Sequence, residues 1–161
     1  MNETEKSTLR KIRWALGLFI AGMVLSGVTA FPLQLELTWL AQIRADGNTG
    51  FDRWILTVRD GLTDTYAKYP WMGYGTDWLA FAHLVIALFF IGPFVDPVKN
   101  VWVIRAGLAA CTLVPVLALI CGPLREIPFG WRLIDCSFGV FGAIPLLYAL
   151  KLTKTLVHSR I

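Results

Sequence analysis

The chain has 161 residues, enough for one compact domain, with 15 basic and 11 acidic residues and a net charge of +4. Hydrophobic residues make up 56% and charged residues only 16%, whereas water-soluble domains run nearer a quarter charged, so an ordinary soluble domain is excluded. The basic excess sits at the ends of apolar stretches, where it reads as membrane topology and lipid-headgroup contact, not as a nucleic-acid surface.

Four apolar stretches dominate: Trp14–Phe31, Trp78–Val95, Val101–Cys121 and Leu133–Leu150. Each approaches the ~20 helical residues that cross a ~30 Å hydrocarbon core. Backbone N–H and C=O groups at that depth find no water, so each stretch is expected to be helical. The expectation is therefore all-α: one polytopic membrane domain over residues 1–161, a bundle of four transmembrane helices. Short amphipathic helices are expected in the long first extracytoplasmic loop, residues 32–77.

In chain order, residues 1–13 form a basic lead-in that continues into the first helix. Trp14–Phe31 resembles a signal peptide, with Lys11 and Arg13 before it and Val28-Thr29-Ala30 at its end; it is expected to remain as an uncleaved first span. Gly22 and Ser26 on it make a small-xxx-small pair, which lets two helix backbones approach closely. Beyond Pro32, Leu33, Leu37, Leu40 and Ile43 recur at helical spacing, and Asp46-Gly47-Asn48 is turn chemistry. Phe51, Trp54, Ile55, Val58 and Leu62 then form an amphipathic helical stripe. Two short helices lying on, or capping, the outer surface follow from this. Tyr66, Tyr69, Trp71 and Tyr74 suit headgroup depth.

The second span is expected to start at Asp77-Trp78, with the acid favoured by the helix dipole, and to stop at Gly92-Pro93. Asp96-Pro97-Val98-Lys99-Asn100 makes a tight turn, so spans two and three are expected to be adjacent and antiparallel. Arg105 lies one turn into span three and can snorkel to the surface. Pro115 sits mid-span, and Gly122-Pro123 closes the helix. Span four opens at Trp131, carries Gly139 and Ala143 as a small pair, and holds Pro145 in its last third. The echo between Gly92-Pro93 and Gly122-Pro123 reads as two hairpins sharing one stop-and-turn chemistry.

Charge sets the expected orientation. Lys6, Arg10, Lys11, Arg13, Lys99, Arg105, Lys151, Lys154 and Arg160 fall on one side; Glu36, Asp46, Asp52, Asp60, Asp64, Asp77, Glu126 and Asp135 fall on the other. The positive-inside rule places both termini in the cytoplasm, and in a bacterium the membrane would be the inner one. Asn2-Glu3-Thr4 matches a glycosylation acceptor but lies on the cytoplasmic side, so it is set aside.

Ionisable side chains inside a membrane cost ~2.5–3.5 kcal/mol each on insertion scales and face the interior of the protein. His83 lies six residues past Asp77, and Asp135 four residues past Trp131, so both are expected at similar depth in the outer half. Arg132 stands one turn from Asp135, at ion-pair spacing. The candidate ligand-binding set is His83, Asp135 and Arg132, expected to meet in an outward-facing polar pocket, with Asp77, Arg125 and Glu126 at its outer end. The competing reading is structural: Arg132 and Asp135 neutralise each other, and His83 donates to a neighbouring carbonyl or hydroxyl.

No cofactor follows from the residues. His83, Asp135, Glu126, Asp77 and Cys136 lack metal-ligand spacing. Haem held by two histidines would need a homodimer, because His83 is the only intramembrane histidine and His158 lies in the tail. No span holds a lysine for a retinal-type Schiff base. Cys111, Cys121 and Cys136 have no CxxC spacing; Cys121 and Cys136 lie near one face, close enough in depth for a disulfide, while small buried thiols are the simpler reading. Three functional classes remain: a protein that binds a small polar or lipid-headgroup ligand or handles protons, an accessory subunit of a larger membrane complex, and an oligomeric channel or transporter.

Overall fold

The computed structural model describes residues 3–44 and 47–158. Asp46 of the predicted turn, Asn2 of the acceptor motif and Arg160 of the basic tail lie outside the described residues, as does the His158 side chain. The described chain is helical almost throughout: α1 (Glu3–Ala30), α2 (Leu33–Arg44), α3 (Gly50–Lys68), a 3-10 turn at Pro70–Met72, α4 (Gly73–Phe89), α5 (Ile91–Val95), α6 (Val101–Leu124) and α7 (Phe129–His158). Four segments are long and apolar enough to cross a membrane: Glu3–Ala30, Pro70–Val95, Val101–Leu124 and Phe129–Val157. The chain thus reads as an integral membrane protein.

Both ends of the second span move, for local reasons. Gly92-Pro93 does not stop the second span. The chain kinks at Phe90, whose N–H turns back to Ala87 O (3.1 Å), and helix resumes as α5. Pro93 then occupies the first turn of α5, where a backbone N–H has no intrahelical partner to lose. The start of that span also lies earlier than expected. Gly73 opens α4, so Asp77 falls in the second turn, past the N–H groups it was expected to face.

The chain packs as two compact units. One comprises Met1–Gly22 and Ile86–Ile161, the other Met23–Val85. In the first, Ile12, Ala15, Leu16 and Phe19 form one face of α1 at helical spacing, and they meet Phe90, Val103, Ile104 and Cys111, and Leu146 and Ala149 of α7. The Phe19 and Phe90 rings lie 4.5 Å apart. Gly107 leaves the space that Phe90 and Leu146 fill. Arg13 closes the end of α5: its Nε donates to Phe94 O (3.1 Å) and its Nη2 to Val95 O (3.3 Å). These are terminal carbonyls with no helical donor, and a cation is favoured there. Asn100 Nδ2 donates to Gly92 O and Asp96 O, and Asp96 Oδ1 accepts from the Lys99 N–H, which builds the tight turn into α6.

Helices α6 and α7 are joined by only four residues, 125–128, and pack along their lengths as antiparallel neighbours. Their closest approach has a chemical cause. Pro115 has no N–H, so the carbonyl four residues earlier, on Cys111, loses its helical donor. Gly139 sits against that carbonyl: a Cβ there would overlap Cys111 O and come within 3.1 Å of Pro115 Cδ. The glycine lets the neighbouring backbone shield a polar group that hydrocarbon cannot solvate.

In the second unit, Gly27 of α1 meets α4 as closely, since a Cβ would stand 2.9 Å from both Ala80 O and Leu84 Cδ2. Helix α3 starts with a reciprocal capping box. Thr49 Oγ1 accepts from Asp52 N–H (3.1 Å), and Asp52 Oδ2 accepts from Thr49 N–H (3.1 Å) and its hydroxyl (2.6 Å). Asp52 is therefore buried with every bond local, and Ile55 one turn on is buried too. Gly47 takes φ +79°, the left-handed conformation that makes glycine the natural residue in the preceding turn. Tyr66 and Thr76 share a hydroxyl–hydroxyl bond (3.1 Å) between α3 and α4.

Gly139→Ala should destabilise the protein by about 1–3 kcal/mol, the usual range for overpacking. Gly22, which has nothing within 4 Å, should tolerate alanine or gain up to about 1 kcal/mol from helix propensity. Thermal unfolding of the purified protein in detergent checks both.

Candidate functional site

Three pieces of chain carry the candidate residues: the α6–α7 turn, the first two turns of α7, and α4. The turn is a Schellman motif. The Ile127 N–H bonds Gly122 O (3.0 Å) and the Glu126 N–H bonds Pro123 O (3.1 Å). Arg125 is the helix C-cap, and its N–H reaches Cys121 O and Gly122 O. Glu126 occupies the position that normally belongs to glycine, with φ +57°. The left-handed conformation costs an ordinary L-residue roughly 1–2 kcal/mol. Helix α6 accordingly runs to Leu124, through Pro123, and turns at Arg125–Glu126 instead of stopping at Gly122-Pro123. Both side chains are exposed.

Helix α7 begins at Phe129, two residues before Trp131, because Pro128 O accepts from the N–H groups of both Trp131 (3.0 Å) and Arg132 (3.2 Å). Arg132 does not pair with Asp135. Its aliphatic stem lies over Gly122, where a Cβ would overlap Cγ and Cδ of the arginine. Its guanidinium carbon stands 5.2 Å from the centre of the Phe129 ring, a cation–π contact. Two geometric facts explain this. Side chains in a helix lean toward the N-terminus, which carries Arg132 back toward residues 128–129. A cation N-terminal to an anion is also the weaker order for a helical ion pair. Arg132 Nε is buried and has no hydrogen-bond partner among the described residues. Asp135 is half-buried. Two residues on, Ser137 turns its hydroxyl back to Ile134 O (2.6 Å).

On α4, His83 Nδ1 lies 2.8 Å from Leu79 O. A carbonyl oxygen only accepts, so Nδ1 carries the proton. In the neutral ring Nε2 is then the basic nitrogen, held in a fixed direction. The bond to a neighbouring carbonyl is the one expected of a structural His83, and the second nitrogen has no partner among the described residues. Asp77, six residues earlier, is half-buried.

Sequence reasoning missed Gly122, the seat on which Arg132 rests. Its signal was available as a glycine one turn before a helix end, facing the first turn of the next helix across a short connection, but it was read as a helix stop. Among the described residues, no group of three or more His, Cys, Asp or Glu side chains converges as a metal site would. Cys111, Cys121 and Cys136 are free thiols; Cys111 is buried, with its sulfur against Gly142.

Comparison with protein families, with curated proteins and with solved structures found no match to this chain.

The strained turn gives a direct check on the local geometry. Glu126→Gly should change stability by no more than about 0.5 kcal/mol, because relief of strain offsets the added freedom of the unfolded chain. Glu126→Val should cost about 1–2 kcal/mol, since a β-branched residue fits the left-handed region worst. Thermal unfolding of the two variants in the same detergent measures the difference.

Proposed function

We propose that this chain is a bundle of four transmembrane helices with both termini in the cytoplasm, in a bacterium in the inner membrane. It engages a small polar ligand or lipid headgroup, or moves a proton, through polar groups in the outer half of its spans. Arg132 and Asp135 act from α7 and His83 from α4, with Asp77, Arg125 and Glu126 at the outer end. Helices α2 and α3 belong to the outer loop. Leu35, Trp39 and Ile43, exposed at i, i+4 and i+8 on α2, are suited to lie against headgroups.

The reading is carried by the state of Arg132 and Asp135. Two opposite charges stand three residues apart in an apolar helix and do not neutralise each other, and one of them has a buried donor without an acceptor among the described residues. Charges held that way at membrane depth mark a functional site by default. An anionic oxygen is what the guanidinium lacks, and the planar fork of arginine suits phosphate or carboxylate. His83 enters on the sequence argument of matched depth, and its oriented Nε2 supports a role in accepting a proton or a hydrogen bond. Glu126 supports the reading in a further way. Strained conformations persist most often where a side chain has to be aimed.

A second reading, an accessory subunit of a larger membrane complex, is favoured by Gly22. The Gly22–Ser26 notch is exposed, and no other side chain fills the space at Gly22. Gly139 and Gly27 are already used inside the protein and do not speak for a partner.

One experiment separates the readings. The chain is purified from its native membrane, and its co-purifying small molecules and lipids are identified by mass spectrometry. On the first reading Arg132→Gln, Asp135→Asn and His83→Ala lose a species that the wild type retains, with melting temperatures within a few degrees of wild type. Gly22→Leu retains it. On the second reading the three polar substitutions change nothing, and Gly22→Leu loses co-purifying protein. Unfolding by Asp135→Asn would make that residue structural and defeat the first reading.

A further inference from the structure

The first compact unit contains a groove of about 1200 Å³ that is lined by none of the candidate site residues. Its walls come from the first half of α1, from Phe94 of α5, and from Ile144, Pro145 and Tyr148 of α7. On α1, Arg10, Trp14, Leu18 and Ala21 line it at i, i+4, i+8 and i+11, one continuous helical stripe. The stripe is charged at one end and apolar along the rest. Trp14 is 77% exposed and Leu18 68% exposed, so nothing among the described residues covers them.

The charges at the head of the groove are not equivalent. Lys6 is bound by Glu3 at 2.9 Å, and Arg13 is spent on the carbonyls that end α5. Arg10 and Lys11 remain, exposed and with no ion pair among the described residues. From Arg10 to Ala21 is eleven residues, about 16 Å along a helix. That is about half of a ~30 Å hydrocarbon core, the depth of one leaflet. Trp14 of α1 and Tyr148 of α7 both line the groove, and such aromatic rings suit the level where headgroups meet acyl chains.

We infer that this groove is a binding site for an anionic phospholipid. The phosphodiester lies between Arg10 and Lys11, and one acyl chain runs along Trp14, Leu18 and Ala21 toward Pro145. Charge complementarity selects the headgroup, because a zwitterionic lipid brings its own cation to the same place. The length of the apolar stripe selects a lipid over a free phosphate, because the anion alone would leave the apolar wall unfilled.

The test uses the full chain in nanodiscs of phosphatidylcholine, with phosphatidylglycerol titrated in and bound lipid counted by native mass spectrometry. Phosphatidylglycerol is expected to be retained at least tenfold more tightly than phosphatidylcholine, and to raise the melting temperature. Arg10→Gln with Lys11→Gln should lower that retention at least tenfold. Ala21→Phe should lower it without a change of charge, by blocking the chain end of the groove. Arg105→Gln, at an exposed arginine outside the groove, should leave it unchanged. Three results overturn the proposal: equal retention of the two lipids, equal loss in Arg105→Gln and the double variant, or displacement of the lipid by millimolar inorganic phosphate. The last would identify a simple anion site. All substituted side chains are exposed, so loss of fold does not confuse the comparison.

Discussion

A peptide group in hydrocarbon has no water to bond, and the rest of this structure follows from that constraint. It makes the four apolar stretches helical, and it sets a difficulty wherever a proline interrupts them. Pro93 falls in the first turn of a helix, where the missing N–H costs nothing. Pro115 falls in the middle of α6 and strips the Cys111 carbonyl of its donor. Gly139 answers that loss by bringing the backbone of α7 directly onto the exposed oxygen. The contact between α6 and α7, the most extensive between any two helices here, is built around it.

Helix ends obey the same constraint by other means. The last carbonyls of α5 are closed by the guanidinium of Arg13, more than eighty residues away in sequence. Those of α6 are closed by a Schellman turn that forces Glu126 into a left-handed conformation. Thr49 and Asp52 satisfy the first N–H groups of α3. Arginine and aspartate thus serve two kinds of purpose in this chain. Arg13 and Asp52 are absorbed in closing the backbone, whereas Arg132 and Asp135 are not, and that difference is the reason to look for chemistry at α7.

The apolar segments were legible because length and hydropathy are properties of contiguous residues. Three of the predicted stretches fall within one of the long apolar segments, and Trp14–Phe31 runs one residue past the end of Glu3–Ala30. Helix ends were less legible, because Gly-Pro is a stop signal only when the chain also has somewhere to turn. At Gly92-Pro93 the helix resumes, and at Gly122-Pro123 it goes on to a glutamate that no glycine rule would select. Arg132 and Asp135 stand at ion-pair spacing but do not pair, because spacing ignores the direction in which helical side chains lean. The groove was not visible in the sequence at all. Arg10, Phe94 and Tyr148 are far apart along the chain, and only packing brings them together.

The proposed crossing of a bilayer by four helices is open to site-directed labelling. Single cysteines are placed at Lys6, Asp64, Lys99, Glu126 and Lys154 in a chain with Cys111, Cys121 and Cys136 replaced by alanine, and intact cells are exposed to a membrane-impermeant maleimide. Four spans with both termini in the cytoplasm give modification at positions 64 and 126, and protection at 6, 99 and 154 until the membrane is permeabilised. Like accessibility at two neighbouring positions, such as labelling of both 64 and 99 or of both 99 and 126 in intact cells, would mean that the apolar segment between them does not span, and would contradict the four-span reading.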